Sequence, residues 1–403
     1  MNLLRRTFSI LLTTTFIFFS AGLRAQSTED TTAPPASSPS TLQTFLNQTH
    51  IGGYGEITYK DPNYGDVPRL NIPRMVTFIE HDFNAQWEFK SELELEDVKL
   101  ERGAGGEIEY EQAFLDYHAN PHIGLRAGLQ LIPIGIINQT HEPTTYYSVE
   151  RPQFDQSVIV TEWEEIGAQF YGEIAQGVEY QLMLSEGLKA EGLSMTTIDG
   201  AKQSGSAGDI TTDAIAGSDA SHPAISGRLD FLPIAGLRLG ASAYYQPIAF
   251  DTLPAGASGT FLMAMLDARF EHGPLRLSGE GGFFTVSNDA VNFYQSNPNY
   301  QPIPQKAVGG WVEAAYNVMP FFSSARSELL PFVLYESFTF TGHPVASFFL
   351  FGENTLSIAH NSVTAGMAFK PLDNIIFKAD YRMTTVDGEA DYKQFSLGGG
   401  FNF

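Results

Sequence analysis

The chain contains no cysteine, which excludes disulfide staples, thiolate metal sites and a lipid anchor on a cysteine. Basic residues are scarce: 23 Lys and Arg stand against 46 Asp and Glu, a net charge of −23. That sign excludes nucleic acid as a natural partner, because binding a phosphate backbone depends on neutralising it with cations. Beyond Phe19, no apolar run reaches the roughly 20 residues of a membrane-spanning helix. Mean hydropathy is only −0.11. None of this excludes a membrane wall made of strands, in which alternate residues face water.

The longest apolar segment, Phe8 to Phe19, follows Met1-Asn2-Leu3-Leu4-Arg5-Arg6 and precedes Ser20-Ala21-Gly22-Leu23-Arg24-Ala25. A basic start, a short apolar centre and a small residue form the layout of a secretory signal peptide, residues 1–25. Without Arg5, Arg6 and Arg24, in a stretch with no acid, 20 basic residues face 46 acidic ones, a net charge of −26. Residues 26–49 read as a disordered periplasmic leader, rich in Ser, Thr, Pro and Ala as far as Ser40. Thr41 to Gln48 has room for one short helical turn or two.

From 50 to 403 the pattern is all-β, a transmembrane antiparallel barrel of about sixteen strands joined alternately by short turns and long polar loops. Expected strands include 69–80, 85–97, 108–118, 122–136, 236–247, 374–385 and 392–403. Short connections such as His81-Asp82-Phe83-Asn84 and Pro371-Leu372-Asp373-Asn374 fall on one side, read as periplasmic. Long loops at 138–163, 187–222, 287–305 and 341–360 fall on the other, read as extracellular.

Side chains alternate along a strand, so several strands assign their own faces. Trp87, Phe89, Leu93 and Leu95 oppose Glu88, Lys90, Glu92, Glu94 and Glu96. Ile375, Phe377, Ala379, Tyr381 and Met383 oppose Lys378, Asp380 and Arg382. A charge facing lipid at mid-depth would cost roughly 2–4 kcal/mol, so the charged faces point inward. The lumen is therefore expected to be densely ionised and too polar for a dry core. Pore-lining candidates are Glu88, Glu92 and Glu94 on an acidic wall, with Arg126, Arg238, Arg276, Lys378 and Arg382 lower down. Counting across the turns sets Asp116 opposite Arg126 and Asp230 opposite Arg238. Two strands fit badly. Arg69 to His81 mixes apolar and charged residues on both faces, and the alternation in Glu107 to His118 slips near Gln112.

The last strand carries Phe395, Leu397, Gly399, Phe401 and Phe403 on one face. A strand ending on phenylalanine resembles the insertion signal of bacterial outer-membrane barrels. Phe401 and Phe403 are thus assembly-signal candidates, with the barrel-assembly machinery as partner. Ile51-Gly52-Gly53-Tyr54-Gly55-Glu56, Glu111-Gln112-Ala113-Phe114-Leu115-Asp116-Tyr117, Leu125-Arg126-Ala127-Gly128, Pro133-Ile134-Gly135, Thr140-His141-Glu142-Pro143 and Glu162-Trp163-Glu164-Glu165-Ile166-Gly167 form an ordered series. So placed, they are similar to the porin O and P family, the phosphate-selective porins. The resemblance implies an outer-membrane porin, commonly a trimer, among lipid and lipopolysaccharide, with a third loop folded inward to constrict the pore.

That loop, 138–163, supplies the constriction candidates His141, Glu142, Glu150, Arg151 and Asp155. With a single basic residue it does not favour phosphate. Weak cation preference is expected, carried by Glu92, Glu142, Glu150 and Asp155. No metal, cofactor or catalytic residue is assigned. The alternatives are a barrel transporting hydrophobic ligands, which would need an apolar lumen, and an outer-membrane hydrolase.

Overall fold

A computed structural model describes residues 41–62, 67–96, 107–159, 162–188, 222–248, 259–287, 304–323, 326–342, 356–387 and 391–403. The expected signal peptide, most of the leader and much of the loops 187–222, 287–305 and 341–360 lie outside these residues. Thr41–Gln48 forms a helix, α1. No helix among the described residues is long and apolar enough to cross a membrane, which says nothing of a strand wall.

Seventeen strands follow. They are β1 (Thr49–Pro62), β2 (Arg69–Asn71), β3 (Arg74–Asp82), β4 (Trp87–Glu96), β5 (Glu107–Asn120), β6 (Ile123–Leu131), β7 (Glu164–Ala175) and β8 (Val178–Ser185). The rest are β9 (Ala224–Ile234), β10 (Leu237–Ile248), β11 (Gly259–His272), β12 (Leu275–Val286), β13 (Lys306–Tyr316), β14 (Glu328–Gly342), β15 (Leu356–Leu372), β16 (Ile375–Val386) and β17 (Tyr392–Asn402). β2 and β3 both pair with β1 and are two pieces of one wall strand, split at Ile72-Pro73. Proline has no N–H for the ladder, so the split follows from the sequence. Sixteen wall strands result, all antiparallel, each paired with its chain neighbours.

β17 closes the wall on β1, with Tyr54 opposite Asn402 and Gly55 opposite Phe401. Gly53 and Phe403 exchange backbone hydrogen bonds of 2.9 and 3.1 Å, so the last residue is part of the seam. A Cβ on Gly53 would lie 2.1 Å from the Val76 carbonyl oxygen and 3.1 Å from the Phe403 ring. Only glycine admits that approach. Closure leaves no strand edge.

The faces separate as the alternation requires. Trp87, Leu95, Leu266, Val312, Phe377 and Leu397 are exposed on the outside, an apolar belt fit for lipid. Glu92, Glu94, Asp116, Arg228, Lys378 and Arg382 are buried on the inside. The awkward β5 contains a bulge: Glu92 pairs with Gln112 but Leu93 pairs with Tyr110. Glu111 is the extra residue, which shifts the phase where the alternation slips. One strand is shorter than expected. β6 ends at Leu131 rather than 136, because Pro133 cannot continue the ladder.

The interior corrects the expectation of a wholly polar lumen. Toward the long-loop end, β8 to β14 present Met183, Tyr244, Phe261, Met263, Met265, Phe284, Trp311, Leu334 and Phe338 inward. They form one apolar cluster with Ile132, Ile134, Ile136, Ile137, Phe154, Val158, Ile159 and Trp163 from the segment joining β6 to β7. That part of the interior is an apolar core.

Candidate functional site

The segment from Ile132 to Trp163 folds into the barrel and ties itself to the wall around most of its circumference. Its base is pinned by one side chain. The Asn138 amide donates to the Ile132 and Trp163 carbonyls at 2.9 and 3.0 Å, and its oxygen accepts from Trp163 N–H at 2.9 Å. At Gly135, φ is +64°, the left-handed region that favours glycine. A Cβ there would meet Glu280 Oε1 at 2.3 Å. That turn aims Gly135 N–H at Ser242 Oγ (3.1 Å) and Ile136 N–H at Glu280 (2.6 Å), while Arg228 donates to the Gly135 carbonyl (2.8 Å).

The segment then crosses to the opposite wall. Lys378 donates to the Ser148 carbonyl at 2.8 Å, and Val149 N–H donates to Asp380 at 2.6 Å. Glu150 accepts from Arg382 and Gln394, both at 2.9 Å, and from Lys60. Gln153 reaches His360 at 2.7 Å, and Phe154 N–H reaches Glu336 at 3.0 Å. A π-helical turn, Asp155–Ile159, carries the chain back across the apolar cluster. Glu162 sits at φ +74°, a strained conformation for a residue with a side chain. Arg74 and Arg151 hold it there, the second at 2.7 Å.

These contacts set the protonation of the loop. Burial alone would raise the Glu150 carboxyl, but Lys60 and Arg382 hold it down at about 2. Burial would likewise raise Glu162, and Arg151 and Arg74 lower it to about 2. Burial pulls the His141 imidazole down, yet Glu111, Glu162 and Glu92 overcome that and lift it to about 10. Asp155 is pushed well up by burial and by Glu280 and Glu336.

The sequence-expected residues fall into three groups. Glu150, Arg151, His141, Lys378 and Arg382 meet at the loop–wall contact. Arg126, Arg238, Arg276 and Glu88 sit near the short turns, each already paired. Arg126 donates to Asp116 at 2.9 Å, with the two residues in register. Arg238 reaches Asp230 at 2.9 Å and Glu179 at 3.3 Å, although a bulge puts Gly240 rather than Arg238 opposite Asp230. Arg276 faces Glu328 at 3.2 Å, and Glu88 faces Lys90 at 3.3 Å. Glu92, Glu94 and Asp155 are buried, Glu142 half-buried.

Sequence reasoning missed Glu111, Glu280 and Glu336 as loop anchors. Arg74 was visible only as a charge that spoiled its strand's pattern. That misfit was the signal, since an arginine on a mixed face must find partners inside.

No protein-family model matches the chain. A protein of Aquifex aeolicus (strain VF5), described as uncharacterized, is 28% identical over 340 residues, which is 82% of this chain and 74% of that one. Among solved structures, the outer membrane channel DcaP of Acinetobacter baumannii has a TM-score of 0.57 at 10% identity, covering 88% of this chain and 97% of its own. The anion-selective porin from Comamonas acidovorans has a TM-score of 0.53 at 12% identity, covering 88% and 99%. OmpT of Vibrio cholerae, in its trimer form, gives the same figures: 0.53, 12%, 88% and 99%. At these identities the likeness establishes the fold. It is that of an outer-membrane β-barrel, in agreement with the lipid-facing belt.

Proposed function

We propose that this protein is an outer-membrane porin, a passive channel for small hydrophilic solutes or ions, constricted by the loop from Ile132 to Trp163. The observation that carries this reading is the loop itself, tied to opposite walls inside a closed barrel. A fold that needed only stability would not bring Arg74, Arg228, Lys378 and Arg382 inside to hold one loop across the lumen. The short turns are taken as periplasmic and the long loops as extracellular. The ordered motif series supports a place near the porin O and P family, and a trimer as the assembled form.

Phosphate specificity is not part of the proposal. Arg126, Arg228, Arg238 and Arg276 already face carboxylates, so their field on a passing anion is largely cancelled. Glu150 is neutralised by Lys60 and Arg382, and the buried Asp155 carboxyl is pushed up by burial and by Glu280 and Glu336, so neither is assigned the cation preference expected of it. That role stays with Glu142 and is shared by Glu109 on β5, both partly exposed, while Glu92 is buried. The apolar part of the interior is packed against the loop, which leaves the hydrophobic-ligand alternative without a surface to use.

The test is planar-bilayer recording with folded protein in a KCl gradient. Stepwise conductance with a reversal potential of weak cation preference is expected. A folded, inserted barrel that gives no steps would overturn the channel reading. Clear anion selectivity, or block of chloride current by low phosphate, would overturn the selectivity.

A further inference from the structure

At one point where the loop meets the ionised wall, donors and acceptors do not balance. His141 Nδ1 lies 3.0 Å from the Asn138 carbonyl oxygen. A carbonyl only accepts, so Nδ1 carries a proton, and in the neutral ring, the form that binds a metal, Nε2 is then an acceptor. Nε2 is 2.9 Å from the Tyr54 hydroxyl and 3.6 Å from Glu111 Oε1. The same hydroxyl is 3.4 Å from Glu111 Oε2 and has one hydrogen for both acceptors. Glu111 Oε1 has no hydrogen-bond partner, on a side chain only 2% exposed. Buried acceptors left in that condition call for an explanation.

The surroundings add more acceptors. Glu92 is buried and takes a hydrogen bond from Gln112. One donor atom each from Glu92, Glu111 and His141 lies within 4.8 Å of the others. Glu94 and Glu162 bring carboxylate oxygens equally close to Glu111. The neighbouring guanidinium, Arg74, is committed to Glu56, Glu162 and the His141 carbonyl.

We propose that Glu92, Glu111 and His141 form a divalent-cation site that fastens the inward loop to β4 and β5. One imidazole with carboxylates suits Zn2+ or a similar first-row ion. Bonds of about 2.0–2.2 Å set tetrahedral ligand atoms about 3.3–3.6 Å apart, and His141 Nε2 and Glu111 Oε1 already stand at 3.6 Å. A histidine ligand commonly donates its other N–H to a carbonyl, as His141 does to Asn138. With Nε2 on the ion, the Tyr54 hydroxyl is free to donate to Glu111 Oε2. A proton on His141 would offset one negative charge among Glu92, Glu94 and Glu111; a divalent ion offsets two. His141 comes from the loop and both carboxylates from the wall, so the ion binds only the folded-in loop and holds it there. The site depends on the loop's position and not on whether the barrel conducts.

The experiment uses the full folded barrel in detergent, stripped with EDTA, dialysed and titrated with Zn2+. The expected result is one equivalent bound per chain at micromolar concentration, weakened at least about tenfold by Glu111→Gln and by His141→Gln. X-ray absorption of the zinc-loaded wild-type protein is expected to show one imidazole in an otherwise oxygen shell, which settles the matter even if the variants fail to fold. No zinc retained, binding unchanged in both variants, or a shell without imidazole would overturn the site. In each of those results His141 carries a proton instead.

Discussion

The inward loop lies against two unlike walls. From β8 to β14 it packs on Met183, Phe261, Phe284 and Phe338, and apolar contact dominates there beside hydrogen bonds to Arg228, Ser242, Glu280 and Glu336. From β16 and β17 round to β5 it meets Lys378, Arg382, Lys60, Arg74 and Glu111, and what holds it is charge. Apolar burial is indifferent to pH and is not screened by salt, whereas ion pairs respond to both. The difference teaches that one loop can be anchored firmly on one side and adjustably on the other. In the channel proposed above, a constriction that stays in place while its lining remains wet benefits from that division.

The largest expected effect comes from breaking the apolar side. Phe261 is 1% exposed, and its ring packs against Trp163, Tyr244 and Phe284 at 6.4, 5.8 and 5.5 Å. Phe261→Ala should cost about 3–5 kcal/mol by leaving a cavity. Urea unfolding of the folded barrel measures it, and the loss should be the same at low and high salt. A loss that shrank with salt would place Phe261 in the wrong class.

A smaller effect is expected on the ionic side. Glu150→Gln leaves the buried Arg382 and the partly exposed Lys60 without their carboxylate, a cost of about 1–3 kcal/mol. Because Glu150 and Glu162 are both held at about 2, their contribution is present above the ordinary carboxyl range near 4.5 and is lost as pH falls toward 2. Stability of the wild-type barrel should therefore fall between about pH 4.5 and 2. Phe261→Ala should keep that slope, and Glu150→Gln should lessen it. Equal slopes in all three proteins would sink the distinction between the walls.

The sequence revealed the two walls unequally. Clean alternation in Trp87 to Glu96 and in Ile375 to Met383 showed which residues face inward, and the slip near Gln112 marked the bulge at Glu111. The apolar wall escaped notice because in Phe261-Leu262-Met263-Ala264-Met265-Leu266 both faces are apolar. Such a strand has an inner face that only an apolar partner can cover, and the partner is distant in sequence. Ile132-Pro133-Ile134-Gly135-Ile136-Ile137 is that partner. It is an apolar run broken by proline and glycine, and it was read as the end of a strand. The pairing of Asp116 with Arg126 was legible by counting. The pairings of Glu150 with Arg382 and Glu162 with Arg74 were not, because they join a loop to strands far along the chain, and no local period encodes them.

In the proposed channel the loop from Ile132 to Trp163 borders the conducting path. The chain has no cysteine, so a single introduced thiol can be modified cleanly. Thr145 is exposed on that loop, its hydroxyl 2.7 Å from the carbonyl oxygens of Thr140 and Glu142, which share its one hydrogen. Thr77 is exposed on the outer, lipid-facing side of β3. A bulky, positively charged methanethiosulfonate should lower single-channel current through Thr145→Cys and leave Thr77→Cys unchanged. Unaltered current after verified modification of Thr145→Cys would show that the loop does not border the path.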